Sequence, residues 1–243
     1  KMCLKTGRLC GAEALIRWNH PTLGRLSPDK FIPLAEESRL IIPMGDWIIE
    51  EVSRQQALWR AQGMTPVPVA VNLSVMQFKN DDLPERFSQA LARHSLGAEL
   101  LELEITESLL MENPERISKQ LAVLDEMGIG IAIDDFGTGY SSLGYLKALP
   151  VDVLKIDRSF VHDLDNADDK VITQAIIALA KSLDLQVVAE GAETEGQVAI
   201  LRGLGCDVIQ GYVYSKPLPA DDFARFLQAS LSGVRRSEDM LKL

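Results

Sequence analysis

Short apolar runs alternate with longer amphipathic stretches along this chain, and that alternation limits the fold more than any other feature. The apolar runs cover residues 9–18, 67–73, 100–106, 129–134, 151–156, 187–190 and 207–210. Residues 28–38, 46–62, 83–94, 114–127, 141–148, 169–183, 195–204 and 220–231 read as helices, with Asn113 as an N-cap before Pro114. Strand-then-helix repetition favours a parallel sheet with helices outside it. A stub at residues 2–4 is separated from the next run only by Lys5-Thr6-Gly7-Arg8. So short a link makes a hairpin and not a parallel crossover. A closed barrel and an open doubly wound sheet both satisfy the pattern.

Composition narrows the class. The 243 residues are 47% hydrophobic and 25% charged, enough for one globular domain, placed at 1–232 with a C-terminal tail at 233–243. A formal net charge of −10 argues against a DNA or RNA polymer as partner. Cys3, Cys10 and Cys206 offer neither a disulfide framework nor a zinc pattern, which fits a reducing cytoplasm. The most apolar stretch, residues 40–49, is broken by Pro43 and Asp46, and no signal peptide is visible. A chain that opens on Lys1 reads as a piece of a longer protein.

The apolar runs share a second property. Glu13, Glu104, Asp134, Asp135 and Glu190 stand at or near their C-terminal ends, where strand propensity disfavours acids. If the strands form one barrel, these ends converge on one face. Carboxylates gathered there need a counter-charge to stay ionised, and divalent cations supply one.

Other motifs extend the set. Glu13, Leu15 and Arg17 share a strand face, so an acid and an arginine could serve a metal and a phosphate; a simple ion pair is the plainer reading. Asn72 closes residues 69–72 and could be a neutral oxygen ligand or a turn former. Glu104 lies nearer its strand end than Glu102, and Glu107 faces elsewhere or sits in the loop beyond. Asp134-Asp135 precedes the flexible Phe136-Gly137-Thr138-Gly139; adjacent acids can serve two metals or cap a helix. Lys155 shares a face with Val153 and Asp157 and could act on a water, a phosphoryl charge or a carbonyl, or be a buried ion pair. Glu190, Glu193 and Gln210 close the last two runs. His20, His94 and His162 lie away from strand ends, so the donor set is oxygen-rich and favours Mg²⁺ or Mn²⁺ over zinc.

Two short motifs mislead. Asp135-Phe136-Gly137 mimics a kinase tripeptide, but no His-Arg-Asp loop accompanies it. Gly128-Ile129-Gly130 lacks the third glycine of a dinucleotide fingerprint, since Ile133 stands in its place.

Taken in order, the residues resemble the EAL-domain phosphodiesterases of bacterial cyclic di-GMP signalling. The matching segments are Glu13-Ala14-Leu15 with Arg17, Phe31-Ile32-Pro33-Leu34-Ala35-Glu36, Asn72-Leu73-Ser74 and Glu104-Ile105-Thr106-Glu107. They continue through residues 134–139, Leu154-Lys155-Ile156-Asp157, Ala189-Glu190-Gly191 and Gln210-Gly211-Tyr212. The resemblance implies an α/β, TIM-like (β/α)8 barrel with an antiparallel first strand pair, its first strand truncated at the chain start. It also implies cleavage of cyclic di-GMP to linear pGpG, with two ions of Mg²⁺ or Mn²⁺. By the same similarity Glu13, Asn72, Glu104, Asp134 and Asp135 would be metal ligands. Glu190 would hold a metal or its water. Lys155 would orient or deprotonate the attacking water. Glu107 would anchor the loop after Asp135, and Gln210 with Glu193 would support the site. Leu15, Arg17, Asp157 and Gln210 would meet the ligand, and Phe31 and Pro217 would wall its guanines. A homodimer, upstream regulatory domains, and a bacterial cytoplasmic location with or without a membrane anchor on the parent complete the expectation. An inactive cyclic di-GMP receptor and a Schiff-base aldolase built on Lys155 are the rivals.

Overall fold

The computed structural model describes residues 1–231 apart from 112, 140–142 and 165, so the tail expected at 233–243 lies outside the described residues. Among the described residues eight strands form one sheet: β1 (Met2–Cys3), β2 (Ala12–Ala14), β5 (Val69–Asn72), β6 (Leu101–Thr106), β7 (Gly130–Phe136), β8 (Val153–Ile156), β9 (Gln186–Glu190) and β10 (Val208–Gln210). Their spatial order is β1-β10-β9-β8-β7-β6-β5-β2. All neighbours are parallel except β1, which runs antiparallel to β10. The two ends of that order meet through the first hairpin. Cys3 N–H donates to Arg8 O at 3.0 Å, Cys10 N–H to Lys1 O at 2.9 Å, and Met2 bridges Leu9. The sheet therefore curls into the expected TIM-like barrel, and the antiparallel element of the expectation is present.

Helices cover the outside: α1 (Pro28–Glu37), α2 (Ile41–Ala61), α3 (Leu83–His94), α4 (Pro114–Glu126), α5 (Leu143–Leu146), α6 (Arg158–His162), α7 (Ala167–Ser182), α8 (Glu195–Leu204) and α9 (Ala220–Leu231). Asn113 caps α4 as expected, its side chain accepting from Arg116 N–H. Strand alternation divides the sheet into two faces. Leu101, Leu103, Ile105, Ile131, Ile133, Leu154 and Ile156 pack outward against the helices in the main apolar core. Each such burial stabilises by about 1.5–3 kcal/mol. Ala132, Val153, Val188 and Val208 point inward and form a small separate plug of the barrel interior. The next inward residue on these strands is Asp134, Lys155, Glu190 and Gln210 in turn. An apolar plug below and polar groups above is thus a direct product of period-two alternation.

Three local expectations change. Apolar pattern predicts one strand over residues 9–18, but only Ala12–Ala14 joins the barrel; β3 (Trp18–His20) and β4 (Gly24–Leu26) make a separate antiparallel hairpin. The His20 imidazole stabilises its turn, Nδ1 accepting from Thr22 N–H at 3.2 Å and Leu23 N–H at 3.1 Å. Second, α2 starts at Ile41 and not at Asp46, because Pro43 sits in the first turn, where a missing N–H loses no helical bond. Third, α6 follows Asp157 directly, and Asp157 caps it through Ser159 N–H at 3.0 Å.

Candidate active site

The end of the barrel where the parallel strands finish carries the polar cluster. Register brings the side chains together: Asn72 lies beside Glu104, Thr106 beside Asp134, Lys155 beside Val188, and Gln210 beside Glu190. At the centre is Lys155, fully buried. Its Nζ lies 2.7 Å from Glu104 Oε2, 2.7 Å from Glu190 Oε1, 3.0 Å from Asp134 Oδ1 and 3.8 Å from Glu13 Oε2. The ammonium thus sits among four carboxylates as their shared counter-charge. Asn72 Nδ2 donates to Glu13 Oε1 at 2.7 Å and Glu104 Oε2 at 3.3 Å, and Gln210 Nε2 donates to Glu13 Oε2.

Asp135 reaches the same face only through a backbone irregularity. Simple alternation would turn it away from Asp134. Instead the β7–β8 register shifts between Ile133 and Phe136, and Asp135 takes φ 53°, in the left-handed region that non-glycine residues seldom occupy. Carboxylate oxygens of Asp134, Asp135 and Glu190 then gather within 4.8 Å of one another, as do those of Glu13, Glu104 and Asp134. Glu107 is buried and accepts from Gly137 N–H at 3.0 Å, anchoring the loop that follows; Gly137 itself needs its φ of 98°. Gly211 is required more strictly, since a Cβ there would lie 2.1 Å from Ala192 O.

The charges do not balance. Burial raises the Glu13 carboxyl above its usual range, and Glu104 adds to the rise. Burial likewise pushes Glu190 up to about 8, against the pull of Lys155, with Asp134 and Glu13 reinforcing it. Asp135 rises to about 6 through burial, Asp134 and Asp157. Glu104 goes the other way: burial opposes ionisation, but Lys155 and Lys1 together hold it below the usual range. Burial alone would lower Lys155; Glu104, Glu13, Glu190 and Asp134 outweigh it and raise its pKa well above the ordinary lysine value. Lys155 is therefore an ammonium, and its carboxylates still carry excess negative charge. A hard divalent cation, bound by carboxylates and the Asn72 carboxamide oxygen, is the group this donor set fits.

Glu13, Glu190 and Gln210 open onto a cleft of about 870 Å³. Leu15, Arg17, Glu193 and Pro217 also line it, so the structure brings these expected contacts to one surface. Arg17 donates to Ile16 O at 2.8 Å. Phe31 does not line the cleft; it is buried, its ring 5.8 Å from the exposed Trp18. Asp157 is also off the cleft lining and is occupied in capping α6.

The sequence pattern missed several participants. Lys1 is buried and bonds Glu104 Oε1 at 2.7 Å as well as Glu102. Its signal is the same as that of Lys155, a lysine beside an apolar strand. Arg158 lines the cleft and directly follows the Leu154-Lys155-Ile156-Asp157 motif, while Tyr212, the last residue of the Gln210-Gly211-Tyr212 motif, lines it with no role assigned from the sequence.

With this geometry in place, comparison with known proteins is decisive. A sequence profile described as the EAL domain matches residues 1–217. This chain belongs to the EAL-domain family. The EAL domain here is 46% identical over 222 residues to a bifunctional diguanylate cyclase/cyclic di-GMP phosphodiesterase, MucR, of Pseudomonas aeruginosa, covering 91% of this chain and 32% of that protein. It is 44% identical to the cyclic di-GMP phosphodiesterase NbdA of the same species, covering 94% of this chain and 28% of the relative. The chain thus spans about a third of the length of these relatives. A solved structure of the MucR phosphodiesterase in complex with c-di-GMP superposes with a TM-score of 0.87, covering 91% of this EAL domain and 90% of that chain. The EAL enzyme Bd1971, in a form bound to cAMP and cyclic di-GMP, is 34% identical with a TM-score of 0.88, covering 93% of this chain and 62% of that one.

Proposed function

We propose that this EAL domain hydrolyses cyclic di-GMP to linear pGpG with two divalent cations, Mg²⁺ or Mn²⁺. The observation that carries the proposal is the buried Lys155 ringed by Glu13, Glu104, Asp134 and Glu190 at the mouth of the cleft, with Asp135 and Asn72 beside them. The identity to MucR and NbdA supplies the substrate class.

Glu13, Asn72, Glu104, Asp134, Asp135 and Glu190 would hold the cations, whose chemistry is to lower the pKa of a bound water and neutralise phosphoryl oxygens. The residues of the chain do the rest. Arg17 faces the cleft and supplies a forked guanidinium for a phosphate oxygen. Leu15 is 42% exposed on the same wall and covers the ligand with Pro217. Asn72 and Gln210 hold the two oxygens of Glu13 in fixed directions. Lys155, its Nζ set among Glu104, Glu190 and Asp134, orients or deprotonates the attacking water and stabilises phosphoryl charge. Glu190, at the cleft wall, would hold a cation or its bound water. Attack at phosphorus breaks one P–O3′ bond and opens the ring. Glu107 keeps the loop after Asp135 in place, and Glu193 lines the cleft beyond Glu190. Homodimerisation, and upstream domains that regulate the site in a longer parent, belong to the same proposal.

Incubation of the purified protein with cyclic di-GMP and Mg²⁺ or Mn²⁺, followed by chromatography, should yield pGpG. Binding of cyclic di-GMP with no product at micromolar protein would replace the enzyme by a receptor.

A further inference from the structure

Two partly buried charged residues inside the barrel have no part in the scheme above. Glu102 lies two residues before Glu104 on β6 and points into the same interior. Lys1 enters from the other side of the barrel, where Met2 pairs with Ile209 and Lys1 O accepts from Cys10 N–H. The Lys1 side chain is only 6% exposed. Its Nζ bonds Glu102 Oε1 and, at 2.7 Å, Glu104 Oε1.

The consequence falls on Glu104, which is fully buried. Its Oε2 faces Lys155 at 2.7 Å and Asn72 Nδ2 at 3.3 Å. Its Oε1 faces Lys1. The carboxylate plane is thus gripped from both ends, and rotation about its last bond would break both contacts. Glu102 has its own role in this: it holds Lys1 against the strand, so that the ammonium is aimed at Glu104 and not at solvent. A lysine with three rotatable donors fits a bridging position between two carboxylates.

We infer that Lys1, braced by Glu102, is a positioning residue that fixes the Glu104 carboxylate for cation binding. The inference rests on the proposed role of Glu104 as a cation ligand. Groups that orient a ligand in this way typically change metal affinity about 10–100-fold when removed. Lys1 borders the cleft, but its ammonium is spent on Glu102 and Glu104, neither of which lines it, so the effect falls on the cation.

The test is direct Mn²⁺ titration of the purified protein without nucleotide, with free Mn²⁺ counted by electron paramagnetic resonance. Lys1→Leu should weaken Mn²⁺ binding roughly 10-fold or more. Lys1→Gln, which keeps an N–H donor, should weaken it less. At saturating Mn²⁺ the KM for cyclic di-GMP should stay within about 3-fold of the parent, because Leu15 and Arg17 on the cleft wall are untouched. If Lys1→Leu does not fold by circular dichroism, Lys1→Gln and Glu102→Leu decide the matter, both with the expected loss of Mn²⁺ affinity. Unchanged or tighter Mn²⁺ binding in the folded variants would overturn the positioning role. Absence of Mn²⁺ binding by the unaltered protein would instead overturn the cation site itself.

Discussion

Lys155→Met is the most informative single perturbation, because it separates the electrostatic role of the lysine from its chemical one. Methionine nearly keeps the volume and removes the charge from a fully buried site. Three carboxylates within 3.0 Å and a fourth at 3.8 Å lose their counter-ion. Removing one partner of a buried ion pair typically costs about 3–5 kcal/mol. For a domain of this size 1 kcal/mol moves Tm by roughly 2–4 °C, so the drop in EDTA should be about 6–20 °C. Protonation limits the loss, since Glu13 and Glu190 are already raised, and the drop should shrink as pH falls. Saturating Mg²⁺ should recover much of it, because cations replace the missing positive charge. Turnover is a separate readout: kcat should fall by about 10²–10³ as for loss of one electrostatic stabiliser, with KM changed far less. Differential scanning fluorimetry with and without Mg²⁺, beside a pGpG assay, measures both. An equal Tm drop in EDTA and in Mg²⁺ would refute the idea that the carboxylates exchange lysine charge for cation charge. An unchanged kcat would remove Lys155 from the chemistry.

Glu13→Gln or Asp134→Asn should abolish pGpG formation while circular dichroism and Tm in EDTA stay near or above the parent, since each removes one excess negative charge; a near-normal rate in either variant would sink the cation site. The pH dependence of the cation-free protein has a defined sign. Glu190, at about 8, and Asp135, at about 6, are both raised above ordinary carboxylates, so their ionisation destabilises the fold as pH rises toward and through those values. Tm in EDTA should therefore be higher near pH 6 than near pH 8, and Mg²⁺ should narrow the gap; a higher Tm at the alkaline end in EDTA would contradict this. Gly211→Ala should lower Tm by several degrees and reduce turnover, because the added Cβ meets the backbone of Ala192, which has no side-chain freedom to yield; an unaffected Tm would show that the β10 exit can move aside.

Much of the site is legible in the sequence because a strand carries its side chains with a period of two. An acid that closes an apolar run must face either the helices or the barrel interior, and parallel strands deliver their ends to the same side. Glu13, Glu104, Asp134 and Glu190 follow from that rule, and the EAL resemblance attaches Asn72, Lys155 and Arg17 to them. The alternation also determines the plug of Ala132, Val153, Val188 and Val208 beneath the acids.

Tertiary structure decided the rest. The position of Asp135 follows from a register shift and a left-handed backbone, which no periodicity encodes. Lys1 and Glu102 are more than a hundred positions apart, and only barrel closure through β1 brings them into contact. Residues 15–18 extend the apolar run in sequence, yet the chain leaves the barrel after Ala14 and Trp18 enters the β3–β4 hairpin, because local turn chemistry at His20 and Gly24 outweighs apolar pattern there. Similarity places Phe31 on a guanine wall, yet packing of α1 buries it beside Trp18. Sequence by itself settled which residues carry charge at the strand ends. Only the closed sheet settled how those charges meet, since electrostatic coupling depends on distance in space and not along the chain.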